Sequence, residues 1–215
     1  MKFLDMYSAV QASLGLEDIA VLDELAYSKA LVNRGVIDVL SRTRCTVRCI
    51  DLHVTAGQGQ YLVGNQILSL VDIEDGLERV NRDSDYQPSF TMIRSDILRL
   101  SPTPSEDGEV QVWAVKFPTP MVADTDDPST EQFGAVPAEF HDAIVTYGLW
   151  HGADYADDAS SQQGERYRIL YEGQDGRGGR LGQIRQLVNK RGTQRAPRRR
   201  VRLAGVADAS NWIGG

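Results

Sequence analysis

The stretch PAEFHDAIVTYGLWHGADYADD, residues 137–158, decides the fold of this chain. Its aromatic and aliphatic residues recur at steps of three and four, which predicts an α-helix that opens with Pro137 at an N1-like position. Val145 widens the apolar stripe until it covers most of the circumference, so we expect this helix in the middle of a bundle. Gly148 and Gly152 would let a neighbouring helix approach closely. The predicted core residues of the bundle are Phe140, Ile144, Tyr147, Gly148, Leu149 and Tyr155.

Two further helices are predicted before the central one. Residues 1–14 have apolar side chains near helical spacing, and Gly15 ends that short helix. Residues 16–42 show the same periodicity over a longer stretch, and acidic residues crowd the first turns, where the helix dipole favours anions. Arg42 and Arg44 lie at its C-terminal side, as the dipole prefers. The chain therefore opens with a short helix and a long one.

The chain after the central helix is predicted to form a helix interrupted by glycines. Residues 160–190 contain the run GQDGRGGRLG, and helical spacing resumes with Leu181 and Ile184. A phosphate-binding loop is the alternative interpretation, but the run lacks the G-K-[ST] ending and no predicted strand precedes it. We therefore predict a hinge between two helical pieces. Its residues are Gly173, Gly176, Gly178 and Gly179.

The pattern between these helical parts is typical of strands. TVRCIDLHV at 46–54 is rich in β-branched residues, and VQVWAVKFP at 110–118 alternates in polarity over its first residues. We predict an α+β fold, with a helical bundle from the N- and C-terminal helices, a small, mostly antiparallel β insertion and an extended C-terminal arm. The predicted boundaries are 1–43 for the N-terminal helices, 44–118 for the β domain, 119–135 for an acidic surface loop, 136–191 for the C-terminal helices and 192–215 for the arm.

Charge is unevenly distributed along the 215 residues. The net charge is −7, yet residues 183–215 hold eight Lys and Arg against a single Asp. Residues 1–182 therefore hold 15 basic and 29 acidic residues, so an acidic body precedes a basic arm. The content of 41% hydrophobic and 25% charged residues is typical of a globular protein. We expect no membrane span and no secretory signal, hence a chain that is cytosolic when synthesised.

The two cysteines predict neither a disulfide nor a zinc site. Cys45 and Cys49 lie four residues apart in a predicted strand, about 13 Å from each other on one face. That separation is too large for a disulfide in a straight strand. No second cysteine pair or suitably spaced histidine pair completes a zinc site, so we interpret both residues as small core thiols.

The remaining candidates for chemistry are also interpreted as structural. His141 and His151 are ten residues apart on one predicted helix, about 15 Å from each other, which is too far to share a metal ion. Asp154 lies beyond them, and His53 lies on a different element. Nucleophile-elbow, H-E-x-x-H and Walker signatures are absent from the sequence. We therefore expect no enzymatic activity, no metal and no cofactor.

The run RAPRRRVR, residues 195–202, has three interpretations. Its arginine density suits nucleic acid, but it lacks interleaved aromatic residues. A solvated tail is the ordinary explanation for such a run. Docking onto another protein is the third, and the tail ends in two large apolar residues, Trp212 and Ile213.

Three stretches carry a resemblance to a known family. They are AVPAEFHDAIVTYGLWHGADYADD at 135–158, TAGQGQYLVG at 55–64 and YRILYEGQDGRGGRLGQIRQLVNKRGTQR at 167–195. In this order the chain resembles the head-to-tail adaptors (connector or neck proteins) of tailed bacteriophages, over roughly residues 15–200. Val63 and Gly64 stand where Leu-Pro is usual in that family.

The resemblance implies a structural virion protein of the neck, present in the host cytoplasm during assembly. Such adaptors form a homo-oligomeric ring, commonly of twelve copies, below a dodecameric portal protein. The ring extends the channel through which genomic DNA passes without sequence-specific binding, and a tail or stopper protein attaches below. C-terminal arms dock onto the portal, which here implies Arg195, Arg198, Arg199, Arg200, Arg202, Trp212 and Ile213. The alternatives are a tail-completion or stopper neck protein and a DNA-binding accessory protein that uses the arginine-rich tail.

Overall fold

The computed structural model describes residues 1–15, 22–63, 67–74, 89–94, 96–101, 103–153, 161–174 and 178–195. The helices are α1 (Phe3–Leu14), α2 (Leu22–Thr43), α3 (His141–Ala153), α4 (Ser161–Glu172) and α5 (Gly179–Arg195). The strands are β1 (Arg48–Val54), β2 (Gln60–Leu62), β3 (Ile67–Glu74), β4 (Ser89–Arg94), β5 (Ile97–Ser101) and β6 (Gly108–Lys116). Single 3-10 turns lie at Glu131–Phe133 and Ala138–Phe140. These elements confirm the predicted α+β class.

Helix α3 is the centre of the helical bundle and contacts each of the other four helices. Buried residues lie on most of its circumference. A helix that packs against other helices on several sides has little surface on which a polar side chain could reach water. Phe140, Ile144 and Gly148 are buried, and Tyr147 and Leu149 are half-buried. The sixth predicted core residue, Tyr155, lies outside the described residues.

Glycines set how closely the helices approach α3. A Cβ atom at Gly148 would lie 2.8 Å from Val10 Cγ2 of α1, so a larger residue would force α1 outward. Gly152 is covered in the same way by Leu14 of α1. A matching glycine on α2, Gly35, would bring its Cβ atom to 3.0 Å from the Ile144 carbonyl oxygen. The sequence pattern pointed to the two glycines of α3 but not to this one.

The β region is a two-layer sandwich of antiparallel sheets. One sheet has the order β1-β6-β3 and the other β2-β5-β4. Side chains alternate between the faces of a strand, so each sheet has one apolar face and one polar face. The two apolar faces share one cluster, made of Val54, Tyr61, Ile67, Leu98, Leu100, Val110, Val112 and Ala114. Between β3 and β6, residues Ser89–Arg94 form β4 and residues Ile97–Ser101 form β5.

Strand β6 belongs to both hydrophobic cores. Ala114 is buried in the cluster of the sandwich, while the next residue, Val115, is buried in the cluster of the bundle. Leu68 of β3 and Val47 before β1 also pack against the bundle. The sheet β1-β6-β3 therefore packs directly against the bundle.

Several details differ from the sequence predictions. Pro137 is extended, with φ −55° and ψ 140°, and caps a 3-10 turn rather than occupying the first helical position. Helix α5 continues to Arg195 and so includes the first four residues of the predicted arm, 192–195. Cys49 is exposed rather than a core thiol, because the alternation of β1 directs it outward, and Cys45 lies before that strand. The predicted helical residues 16–21 and 154–158 lie outside the described residues.

Candidate functional site

A polar network joins the C-terminal end of α2 to the end of α4. The Tyr171 hydroxyl donates a hydrogen bond of 2.6 Å to Asp38 Oδ2. Arg42 donates to Glu172 Oε1 at 2.7 Å, and its guanidinium group lies over the Tyr171 ring at 5.9 Å. Arg185 of α5 donates to the carbonyl oxygen of Arg42 at 3.2 Å. One arginine thus ties α2, α4 and α5 together.

The electrostatics of this network are those of a structural contact. Burial, followed by the negative charge of Asp38, strongly raises the pKa of Tyr171. The hydroxyl therefore stays protonated and serves as a donor, not as an acid or base. The donor Tyr171 is fully buried and the acceptor is a carboxylate, which makes this hydrogen bond stronger than one between neutral groups. The network holds the C-terminal helices in one orientation on the bundle.

The described part of the predicted hinge is a tight backbone contact. Gly173 has φ +88° and Gly179 has φ +64°, values that side-chain-bearing residues rarely adopt. A Cβ atom at Gly173 would lie 2.5 Å from the Cα atom of Gly178. The turn between α4 and α5 thus needs glycine for its conformation and for its packing. Gly176 lies outside the described residues.

The acidic loop 119–135 is fastened to the bundle by its own carboxylates. Asp124 accepts hydrogen bonds from the Tyr7 hydroxyl at 2.9 Å and from Lys29 Nζ at 3.0 Å. These two contacts lower the pKa of Asp124. Asp126 Oδ2 accepts from the backbone N–H of Val122 at 2.7 Å and of Ala123 at 2.8 Å. The carboxylates of Asp124 and Asp126 are therefore engaged in hydrogen bonds within the subunit.

His141 and Ser129 resemble a catalytic pair, but their geometry is structural. His141 Nε2 lies 3.2 Å from Ser129 Oγ and 3.1 Å from the Val136 carbonyl oxygen. A carbonyl oxygen only accepts, so Nε2 carries the proton and cannot take one from the serine. Nδ1 is buried and has no partner among the described residues, so no carboxylate orients the ring there. Burial lowers the pKa of His141, which keeps the ring neutral.

The other candidates for metal chemistry form no metal site among the described residues. Within the described ranges, no group of three or more His, Cys, Asp or Glu side chains could hold a metal ion. His53 lies on the outer face of β1, and His151 stacks on Tyr147 and Trp150 in the bundle. Asp154 lies outside the described residues. Among the described helices, none is long and apolar enough to cross a membrane.

The predicted docking arm meets the described structure at a single residue. Arg195 is the last residue of α5, and the other predicted arm residues lie outside the described residues; these are Arg198, Arg199, Arg200, Arg202, Trp212 and Ile213. The network of Asp38, Arg42, Tyr171 and Glu172 was not found from the sequence. Its only local signal is a charged residue next to the apolar stripe of α2.

The described residues form a firmly packed helical bundle, and the C-terminal end of the sequence is basic. A model of the SU10 adaptor protein family matches residues 1–202. The chain therefore belongs to the SU10 adaptor protein family and is a bacteriophage adaptor with a structural role. Membership of this family confirms the resemblance to head-to-tail adaptors and implies a place in the neck of the virion, with portal and tail components as neighbours. No curated protein matches the chain.

Proposed function

We propose that this adaptor forms a ring of twelve copies below the portal, extends the DNA channel and provides the site where the tail attaches. The observation that carries this proposal is the match to the adaptor family over residues 1–202. The packing of the bundle supports it, because a ring that joins two large assemblies needs subunits whose helices do not shift. The Arg42 network and the glycine contacts of α3 provide that fixed geometry.

The C-terminal segment supports docking onto the portal. Helix α5 ends at Arg195, so the basic segment begins at a helix that packs on the bundle. The following 20 residues, 196–215, can span roughly 65 Å when extended at about 3.3 Å per residue. Arginine forks suit carboxylates of an acidic groove, and Trp212 with Ile213 suits an apolar pocket at its end.

The charge of the body supports a channel through which DNA moves. Residues 1–182 carry 15 basic and 29 acidic residues, so most of the subunit repels phosphate. Affinity for nucleic acid depends mainly on contacts between basic side chains and phosphates. A ring with an excess of negative charge around its lumen would let DNA pass without adhering to it.

The test is deletion of residues 196–215, which leaves helix α5 whole. We expect the truncated subunit to keep the circular dichroism spectrum and melting temperature of the full chain and to lose binding to purified portal. Electron microscopy of the portal mixture would show a ring with the full chain and none with the truncated one. Portal binding equal to that of the full chain would contradict the docking role of the arm.

Two matched variants of the arm distinguish the alternatives. Replacing Trp212 and Ile213 by alanine keeps every charge, and portal docking predicts that this variant binds portal at least tenfold more weakly. Replacing Arg198, Arg199, Arg200 and Arg202 by lysine keeps the charge but removes the bidentate geometry. Salt-sensitive DNA binding without a ring would favour a DNA-binding accessory protein. Binding to another neck protein alone would favour a stopper or tail-completion protein.

A further inference from the structure

One outer face of the β sandwich is acidic. It belongs to the sheet β1-β6-β3, and we call it the acidic face; its described residues are Cys49, Asp51, His53, Glu109, Gln111 and Trp113. Asp51 and Glu109 are exposed, and no Lys or Arg occurs at these described positions. Among the described side chains of the acidic face, the formal charges are therefore those of Asp51 and Glu109.

The opposite outer face is basic and partly apolar. It belongs to the sheet β2-β5-β4, and we call it the basic face; its described residues are Gln60, Leu62, Thr91, Arg94, Ile97, Arg99 and Ser101. Arg99 lies on the central strand, between Gln60 and Thr91. Arg94 pairs with Ile97 on the same face, and no Asp or Glu occurs at these described positions.

The basic face also has features of a contact surface. Leu62 of the edge strand β2 is 74% exposed, so its side chain is free to pack against a partner. It pairs in register with Ile97, so two apolar side chains lie beside Arg94. An open recess of ≈ 490 Å³ lies beside Arg99, lined also by Gln58, Gly59 and Thr103. A partner would find there an arginine, an apolar ridge and a cavity.

The two faces lie on opposite sides of one sandwich, because the inner faces of both sheets pack on a single cluster. Two different, complementary surfaces on opposite sides of a subunit make a head-to-tail contact between copies. Contacts of this kind close into a ring when the rotation between subunits allows it. Charge complementarity therefore points to a second copy of this chain as the occupant.

We propose that the acidic face of each subunit packs on the basic face of the next subunit in the ring. This inference rests on the proposed function, since it assigns the contact between neighbours in that ring. Arg99 and Arg94 meet the carboxylates of Asp51 and Glu109, and Leu62 is removed from water between the sandwiches. The charged pairs select the head-to-tail orientation, because two like faces repel each other.

Genomic DNA fits the basic face less well than a second copy does. A phosphate-binding surface needs several cations along the path of the backbone, whereas this face has two arginines next to exposed Leu62 and Ile97. The acidic residues on the other side of the same sandwich also repel phosphate. Binding of DNA to the basic face is kept as an outcome of the experiment.

The experiment reverses the charge of each face in the full-length chain. One variant carries Arg94→Glu and Arg99→Glu, and the other carries Asp51→Lys and Glu109→Lys. Each is mixed with portal, and the ring is counted by electron microscopy; we expect each variant alone to lose rings about tenfold. An equal mixture of both variants should restore the ring, since alternating subunits then offer complementary faces. A single chain with all four substitutions should restore it as well.

A control and the contrary outcomes complete the test. The variant Arg34→Glu with Arg166→Glu changes the net charge by the same amount and sign as the Arg94 and Arg99 variant, at exposed helical positions, and should form rings normally. Rings of normal yield from either face variant alone, or failure of the mixture to restore them, would overturn this inference and leave the proposed function intact. Absence of a ring in the unaltered chain would overturn both. If the Arg94 and Arg99 variant forms normal rings but binds DNA more weakly than the unaltered chain, the basic face would be assigned to DNA instead.

Discussion

The helical bundle and the β sandwich differ in the size of their buried clusters and in the placement of their polar side chains. Among the described residues, the bundle buries eighteen in its hydrophobic cluster, and hydrogen bonds between residues distant in sequence join its helices. Among the described residues, the cluster of the sandwich contains eight buried residues, and exposed charged side chains lie on its two opposite outer faces. The bundle therefore holds most of the described core, whereas the sandwich is the region in which we propose the contact between neighbouring subunits.

Truncation of a buried side chain in the bundle should lower the free energy of unfolding more than the other changes below. Ile144 is fully buried in α3 and contacts α2 at Gly35, so Ile144→Ala leaves a cavity between two helices. We expect the free energy of unfolding to fall by about 2–5 kcal/mol, measured by urea denaturation. Leu170→Ala, at a position that is 55% exposed on α4, is the control and should change it by less than about 0.5 kcal/mol. Equal losses in the two variants would mean that α3 is not the centre of stability.

Two buried tyrosines permit a direct comparison of the regions. Tyr171→Phe in the bundle removes a donor to the carboxylate of Asp38, which should cost about 1.5–3 kcal/mol. Tyr61→Phe in the sandwich removes hydrogen bonds to neutral backbone groups of Thr55 and Gln58, which should cost about 0.5–1.5 kcal/mol. Urea denaturation of both variants measures the difference. A larger loss for Tyr61→Phe would reverse the ranking of the two regions.

A pH effect of smaller size is expected at His141. Burial lowers the pKa of His141 below the value of about 6.5 that an unfolded chain has. The unfolded state therefore takes up the proton first, and the contribution to stability is complete above about pH 6.5 and falls as the pH drops below it. In His141→Gln the amide nitrogen keeps a donor for the Val136 carbonyl oxygen but does not titrate. Urea denaturation at about pH 7 and about pH 5 should show a smaller loss for this variant than for the unaltered chain.

Local periodicity was sufficient for the helices of this chain. The spacing of Phe3, Met6 and Val10 predicts the buried side of α1, and the same reasoning finds α3, because a helix buries a face that repeats every few residues. The glycine run between α4 and α5 was also visible in sequence, although its described part is a close contact rather than an open hinge. The buried side of a helix can be predicted from the sequence because residues three or four apart in the chain lie next to each other on the helix surface.

Pairings between distant segments were not readable in the same way. Asp51 and Gln111 pair across β1 and β6, sixty residues apart, and Asp38 meets Tyr171 at a separation of 133. Strand order and the charge of each sandwich face depend on such pairings, which leave no periodic signal in either segment. Cys49 shows the consequence: its outward direction follows from the register of β1, not from its residue type. For the arm, sequence remains the source of the proposal, since only Arg195 belongs to the described helix.

The position of β6 in both cores has a mechanical consequence. Ala114 and Val115 are consecutive residues, so a force that tilts the sandwich is passed along a covalent backbone into the bundle within one peptide unit. The strand lies between β1 and β3 and is hydrogen-bonded on both edges, so a pull along it stresses many hydrogen bonds at once instead of opening them singly. A load on one layer of the subunit would then be shared between the sandwich and the bundle, because β6 belongs to both hydrophobic clusters.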